Sequence, residues 1–211
     1  MDAALAAEAR RLLDRYLIEV VEAYELCPWA ASARRRGEIR VEVVAIGDAA
    51  AAVDRIAGDR AAAIGMVVLA AAADAIAPPS LRRLRDELLA GRSDVAIADF
   101  HPAATADLSS PARLVPFLRR APDPMLQVVR REVLEAVKRA PPPPGLASQA
   151  AMLAGRAAAP EPDIAERIAR ANLATVARAG AAAVGAVLDD IERDRDASYA
   201  RLRAAAADAR L

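Results

Sequence analysis

Three short runs of aliphatic and β-branched residues limit what this chain can fold into. They are IRVEVVAI (residues 39–46), IGMVVL (64–69) and DVAIADF (94–100). The first alternates at its start; the other two are apolar throughout, as strands of a sheet covered on both faces are. Helical stretches separate them, residues 48–57 and 80–90, ended by Gly58 and Gly91, with Ser80 as an N-cap. Strands alternating with helices of about ten residues predict an α/β layered domain.

The flanking segments extend this pattern. Residues 2–26 carry an apolar stripe of Leu13, Leu17, Val20, Tyr24 and Cys27 at helical spacing. Pro28 disfavours helical geometry at Cys27 and suits the first turn of a second helix, PWAASARRRG, which Gly37 stops. Residues 103–124 are broken by four prolines and read as irregular, with at most one helical turn around 112–119. MLQVVR (125–130) reads as a fourth strand before a helix at 132–139, or the whole of 125–139 reads as one helix. The expected fold is therefore α/β, with a three- or four-stranded mixed sheet, flanking helices and a helical C-terminal extension. Residues 1–140 form the α/β domain, 141–162 a Pro/Ala-rich linker and 163–211 a helical segment. Gly180 and Gly185 are candidate breaks in that segment. Its thin stripe of Val184, Leu188, Ile191, Ser198 and Leu202 is interrupted by Arg195, too weak a pattern for a coiled coil.

Composition excludes more than it assigns. Lys+Arg and Asp+Glu are both 29, so there is no surplus positive charge for a generally basic nucleic-acid binder. Hydrophobic residues reach 55%, but alanine supplies much of that, and aromatics are only 3%. The apolar run 61–73 is too short to span a bilayer, and the N-terminal residues lack a secretory pattern. A single cysteine excludes an internal disulfide framework. The expectation is a soluble cytoplasmic protein, with no nucleic acid or membrane partner.

Scarce residues carry the candidate chemistry. Cys27, as N-cap of the second helix, would face the positive end of its dipole, which favours the thiolate, with Arg34, Arg35 and Arg36 nearby. The alternative is a small buried hydrophobe continuing the stripe. His101, the only histidine, follows a predicted strand at the sheet edge where α/β proteins bind ligands. Its alternative is a loop corner whose ring hydrogen-bonds a backbone carbonyl. Together Cys27 and His101 would form a nucleophile and base, or two metal ligands with Asp99 or Asp107. Cys27-Pro28 also matches the Cys-Pro dipeptide of haem-responsive proteins. Arg113, Arg119, Arg120 and Arg130 flank RRAPDP and offer forks for carboxylate or phosphate, or form a solvated face. No Gly-rich phosphate loop, GxSxG or HExxH occurs.

The order LCPWA (26–30), GEIR (37–40), FHP (100–102), RRAPDPMLQVVR (119–130) and RANLATV (170–176) resembles a bacterial family of unknown function, DUF1415. The likeness covers roughly residues 11–180 and is strongest at Cys27-Pro28 and His101-Pro102. Asn172 matches an asparagine near the C-terminal end of that family. This chain has Ala121, Asp123 and Gln127 where the family has a serine, an aromatic and a second histidine. The resemblance implies a shared pocket and names no reaction.

The reading is a small-molecule site at the C-terminal edge of the sheet. Cys27 and His101 are its catalytic candidates, and Arg40, Arg120, Asp123 and Asn172 its binding candidates. The cofactor is left open. The alternatives are a non-catalytic interaction or accessory protein, self-associating or binding a partner through its C-terminal helix, and a metal- or haem-binding protein.

Overall fold

The computed structural model describes residues 2–27, 29–70, 76–104, 107–139 and 164–208. The proline-rich segment at 141–162 and the N1 position assigned to Pro28 lie outside them. The expected α/β architecture is present. Strand β1 (Ile39–Val43) pairs in parallel with β2 (Ile64–Val68), Ile39 opposite Ile64. Strand β4 (Met125–Arg130) runs antiparallel between β2 and β3 (Val95–Phe100), giving a four-stranded mixed sheet in the order β1-β2-β4-β3. MLQVVR is therefore a strand, and the single-helix alternative for 125–139 is excluded.

Helix α1 (Ala3–Arg15) begins at Asp2, whose side chain accepts from the Ala4 N–H. It continues into a π-helical turn, Tyr16–Glu22. Helix α2 (Ala30–Arg35) follows. Helices α3 (Ala49–Gly58) and α4 (Pro78–Leu89) connect the parallel strands. The cap of α4 is Ala77, with Pro78 in its first turn, so Ser80 lies inside the helix rather than at its cap. The proline-broken stretch holds α5 (Pro111–Leu118), capped by the Ser110 side chain accepting from the Arg113 N–H. Helix α6 (Arg131–Arg139) follows β4 directly. Helices α7 (Ile164–Ala179) and α8 (Ala181–Asp208) meet at Gly180, whose φ of +87° favours a residue without a Cβ; the two axes bend by 92° there. Gly185 lies within α8 and does not break it. Among the described residues, no single helix is long and apolar enough to cross a membrane.

The sheet separates two cores. On one face Val67, Leu69, Val95, Ile97, Leu126 and Val128 pack against α3 and α4. Gly65 lets α3 approach closely: a Cβ there would meet Ile56 Cγ2 at 2.1 Å. On the other face Ile64, Met66, Val68 and Met125 pack against α1, the π-helical turn, α5, α7 and α8. The C-terminal helices thus close the main core. Val184, Leu188, Ile191 and Tyr199 are buried along α8, and Arg195 continues that stripe as a buried residue.

Candidate functional site

Both catalytic candidates border cavities, but different ones. The approach to Cys27 is set by the π-helical turn. Its wider winding is visible in bonds spaced five residues apart, Ala23 N–H to Ile18 O at 3.1 Å and Leu26 N–H to Val21 O at 2.9 Å. Glu25 then takes φ of +52°, a left-handed conformation uncommon outside glycine, and ends the helix. Leu26 turns into the core and Cys27 is half-buried. The N-cap of α2 is Trp29, and the Ala30 N–H bonds to the Cys27 carbonyl at 3.2 Å. Cys27 is therefore not the cap, and α2 is only six residues long, so the helix-dipole argument for its thiolate lapses.

Cys27 lines a cavity of about 420 Å³ between the sheet and the helices on the main-core side. Its walls are mostly apolar, with Leu17, Ile39, Ile64, Met66, Phe100 and Ile168 prominent. Four polar side chains also reach it: Tyr16, Arg119, Gln127 and Asn172. The Tyr16 hydroxyl donates to the Leu118 carbonyl at 2.6 Å, and burial pushes this phenol well above its ordinary range. Asn172 Nδ2 donates to the Leu26 carbonyl at 3.1 Å, tying α7 to the turn before Cys27.

His101 lies just past β3, at the edge where β1, β2 and β3 all end, as expected from the sequence. It lines a second cavity of about 620 Å³, together with Pro78, Arg82, Asp99, Asp107 and Arg113. Both ring nitrogens are committed to backbone. Nε2 lies 2.8 Å from the Ile76 carbonyl, and Nδ1 accepts from the Ala103 N–H at 3.0 Å. This fits the tautomer with its hydrogen on Nε2. The ring is 7% exposed and has no lone pair left to take a thiol proton, so the loop-corner alternative is the observed one. The Asp99 carboxylate pairs with Arg85 and lies 3.9 Å from Arg82. Hydrogen bonds from Ser109, with Arg113 beside it, hold Asp107 at about 2.

Arg119 lines both cavities. Its Cζ lies 5.4 Å from the Phe100 ring centroid, a cation–π contact. Its backbone carbonyl accepts from the His101 N–H at 3.0 Å. Among the described residues its guanidinium has neither a carboxylate partner nor a hydrogen-bond acceptor. Burial pulls its pKa down, against the opposing pull of Asp99, yet arginine keeps its charge. Its neighbour Arg120 differs: it pairs with Asp189 at 2.6 Å and Glu192 at 2.8 Å, both on α8.

Of the two catalytic candidates and the binding candidates Arg40, Arg120, Asp123 and Asn172, only Cys27 and Asn172 share a cavity. Arg120 and Asp123 hold α8 instead of facing a ligand site. Asp123 is 1% exposed; it accepts from Arg195 Nε at 3.0 Å and from the Tyr199 hydroxyl at 2.6 Å. Arg40 is on the surface beside Glu42 and lines neither cavity. Among the described residues no three His, Cys, Asp or Glu side chains gather as a metal site, and Cys27 lies on a different cavity from Asp99 and Asp107. Sequence reasoning grouped Arg119 with its neighbours and passed over Gln127 as a ligand group. The available signal was Gln127 as the sole polar residue of MLQVV.

Compared with protein-family models, with curated proteins and with solved structures, the chain matches none.

Proposed function

We propose that the protein binds a small, mostly apolar molecule bearing one anionic group, most simply a carboxylic acid, in the cavity beside Cys27. Arg119 would hold the acid. The supporting observation is this guanidinium, half-buried at the junction of the two cavities and without an anionic partner among the described residues. A charge removed from water is costly unless paired, and arginine's planar fork matches a carboxylate in a two-point contact. The apolar walls suit the rest of the molecule, and the volume lies within the range of small-ligand pockets.

His101 acts here as a positioning residue, fixing the loop after β3 and the Arg119 backbone. Cys27 supplies a thiol on the cavity wall, which makes it a reporter as well as a candidate nucleophile. Two of the positions that carry the resemblance to DUF1415, Cys27 and Asn172, border this cavity, and His101 borders the next. A single cysteine suits a reducing, cytoplasmic setting. Self-association through α8 gains no support, because the helix's apolar stripe is spent internally.

Cys27 is the chain's only cysteine, so its alkylation by iodoacetamide can be followed without interference. Hexanoate, octanoate or phenylpropionate should slow the reaction in the wild type and not in Arg119→Gln. A rate unchanged by all three acids would contradict the proposal.

A further inference from the structure

We infer that Gln127 makes the cavity selective for acids whose apolar body carries a second hydrogen-bonding group, a ketone or a hydroxyl. This inference rests on the carboxylate reading above. Gln127 sits in the middle of β4, opposite Met66 on β2 and Ala98 on β3. Its neighbours Leu126 and Val128 point to the α3–α4 core, so strand alternation sends Gln127 to the opposite face, with Met125. An inner strand covered on both faces ordinarily carries aliphatic side chains.

The Gln127 amide is half-buried, and a ligand that filled the cavity would take it out of water at a cost unless the amide found a partner. Among the described residues the Gln127 side chain has no hydrogen-bond partner. The other polar side chains of the wall are differently placed. Tyr16 donates to Leu118, Asn172 donates to Leu26, and Arg119 carries the charge that an acid would neutralise. Gln127 is the one neutral polar side chain on this wall with all of its donors and acceptors uncommitted among the described residues, on the floor of an apolar chamber; Asn172 keeps its oxygen and one N–H but is tied to Leu26. A ketone would accept from its NH2 group, and a hydroxyl would donate to its oxygen. A purely hydrocarbon body would bury the amide unpaired, and sites built to hydrogen-bond a ligand reject analogues that lack the group.

Calorimetric titration of phenylpropionate, phenylpyruvate, phenyllactate and benzoylpropionate tests this in the intact chain. The wild type should bind at least one substituted acid about tenfold more tightly than phenylpropionate. Gln127→Met, close in size but apolar, should lose that preference while still binding phenylpropionate. Equal binding of all four acids by the wild type overturns the selectivity and leaves the carboxylate reading standing. A preference that persists in Gln127→Met assigns the selectivity elsewhere and also overturns it. Binding of none of the four removes both. The wild-type comparison needs no variant, so the inference remains falsifiable even where Gln127→Met does not fold.

Discussion

Asp123 shows at the scale of one residue how a charge in a motif becomes part of the interior. Its carboxylate takes one bond from Arg195 and another from Tyr199, whose ring also lies 5.0 Å from the Arg195 Cζ. All three side chains are buried. Asp123→Asn would leave Arg195 charged without its buried counter-ion, which typically costs roughly 3 kcal/mol. A fall of that size in urea-unfolding free energy, with binding of carboxylates retained, is the expected result. The buried phenols add a pH effect. Burial raises Tyr16, and burial followed by the Asp123 charge raises Tyr199. Above pH about 10 the unfolded chain releases these protons while the folded one keeps them, so stability should fall as pH rises further. The measurement is phenolate absorbance, with the share of two of the three tyrosines developing only together with unfolding. Nothing local revealed the role of Asp123, because its partner Arg195 lies 72 residues further along the chain. The sequence does mark Arg195 as an interruption of an apolar stripe, and a charge at such a position needs an internal counter-ion.

At the scale of elements, the strands were legible because β-branched runs and Gly stops report local backbone preference directly. The π-helical turn was not, since its stripe reads equally well at ordinary helical spacing and only the bonds to Ile18 and Val21 expose the wider winding. The misplaced cap at Cys27 has a similar origin: proline is favoured at the first helical position, but this helix begins at Ala30. The seam between α1 and α8 depends on long-range pairs that no local pattern shows. Arg15 contacts Asp190 at 2.9 Å and Asp194 at 2.7 Å, and Arg11 contacts Asp194 at 2.8 Å. Hydrogen bonds from Arg15 and then Arg193 hold Asp190 below the usual carboxylate value. Burial pushes Asp194 up, but Arg15 and Arg11 outweigh it and leave it lowered. Groups depressed in the fold contribute stability above their unfolded value, about 4, and lose it as pH falls further. The urea midpoint should therefore drop below pH about 4, and less steeply in Asp190→Asn/Asp194→Asn. Across the sheet, Gly65→Ala would drive a methyl into Ile56 and should cost about 2 kcal/mol, with Ile56→Ala in the same chain recovering part of it.

Over the whole molecule, α8, which follows Gly180, completes the core that walls the Cys27 cavity. Removing residues 181–211 would uncover Leu12, Leu13 and Tyr16, which are buried against that core. The shortened chain should lose its cooperative thermal transition and its protection of Cys27 by carboxylates. A cooperative transition close to that of the full chain would mean that α8 is dispensable. Cavity formation at this scale was the least legible part of the sequence. It needs α5, α6 and α7 laid over one face of the sheet against the π-helical turn and Cys27, which lie far earlier in the chain.

Arg119, without an anionic partner among the described residues, is the proposed anchor of an acid in the apolar chamber. Calorimetric titration of octanoate and of its uncharged amide into the wild type and Arg119→Gln tests it most directly. The wild type should bind octanoate at least about tenfold more tightly than octanamide, and the variant should bind the two alike. Octanoate binding of equal strength in the wild type and in a folded Arg119→Gln variant would contradict it.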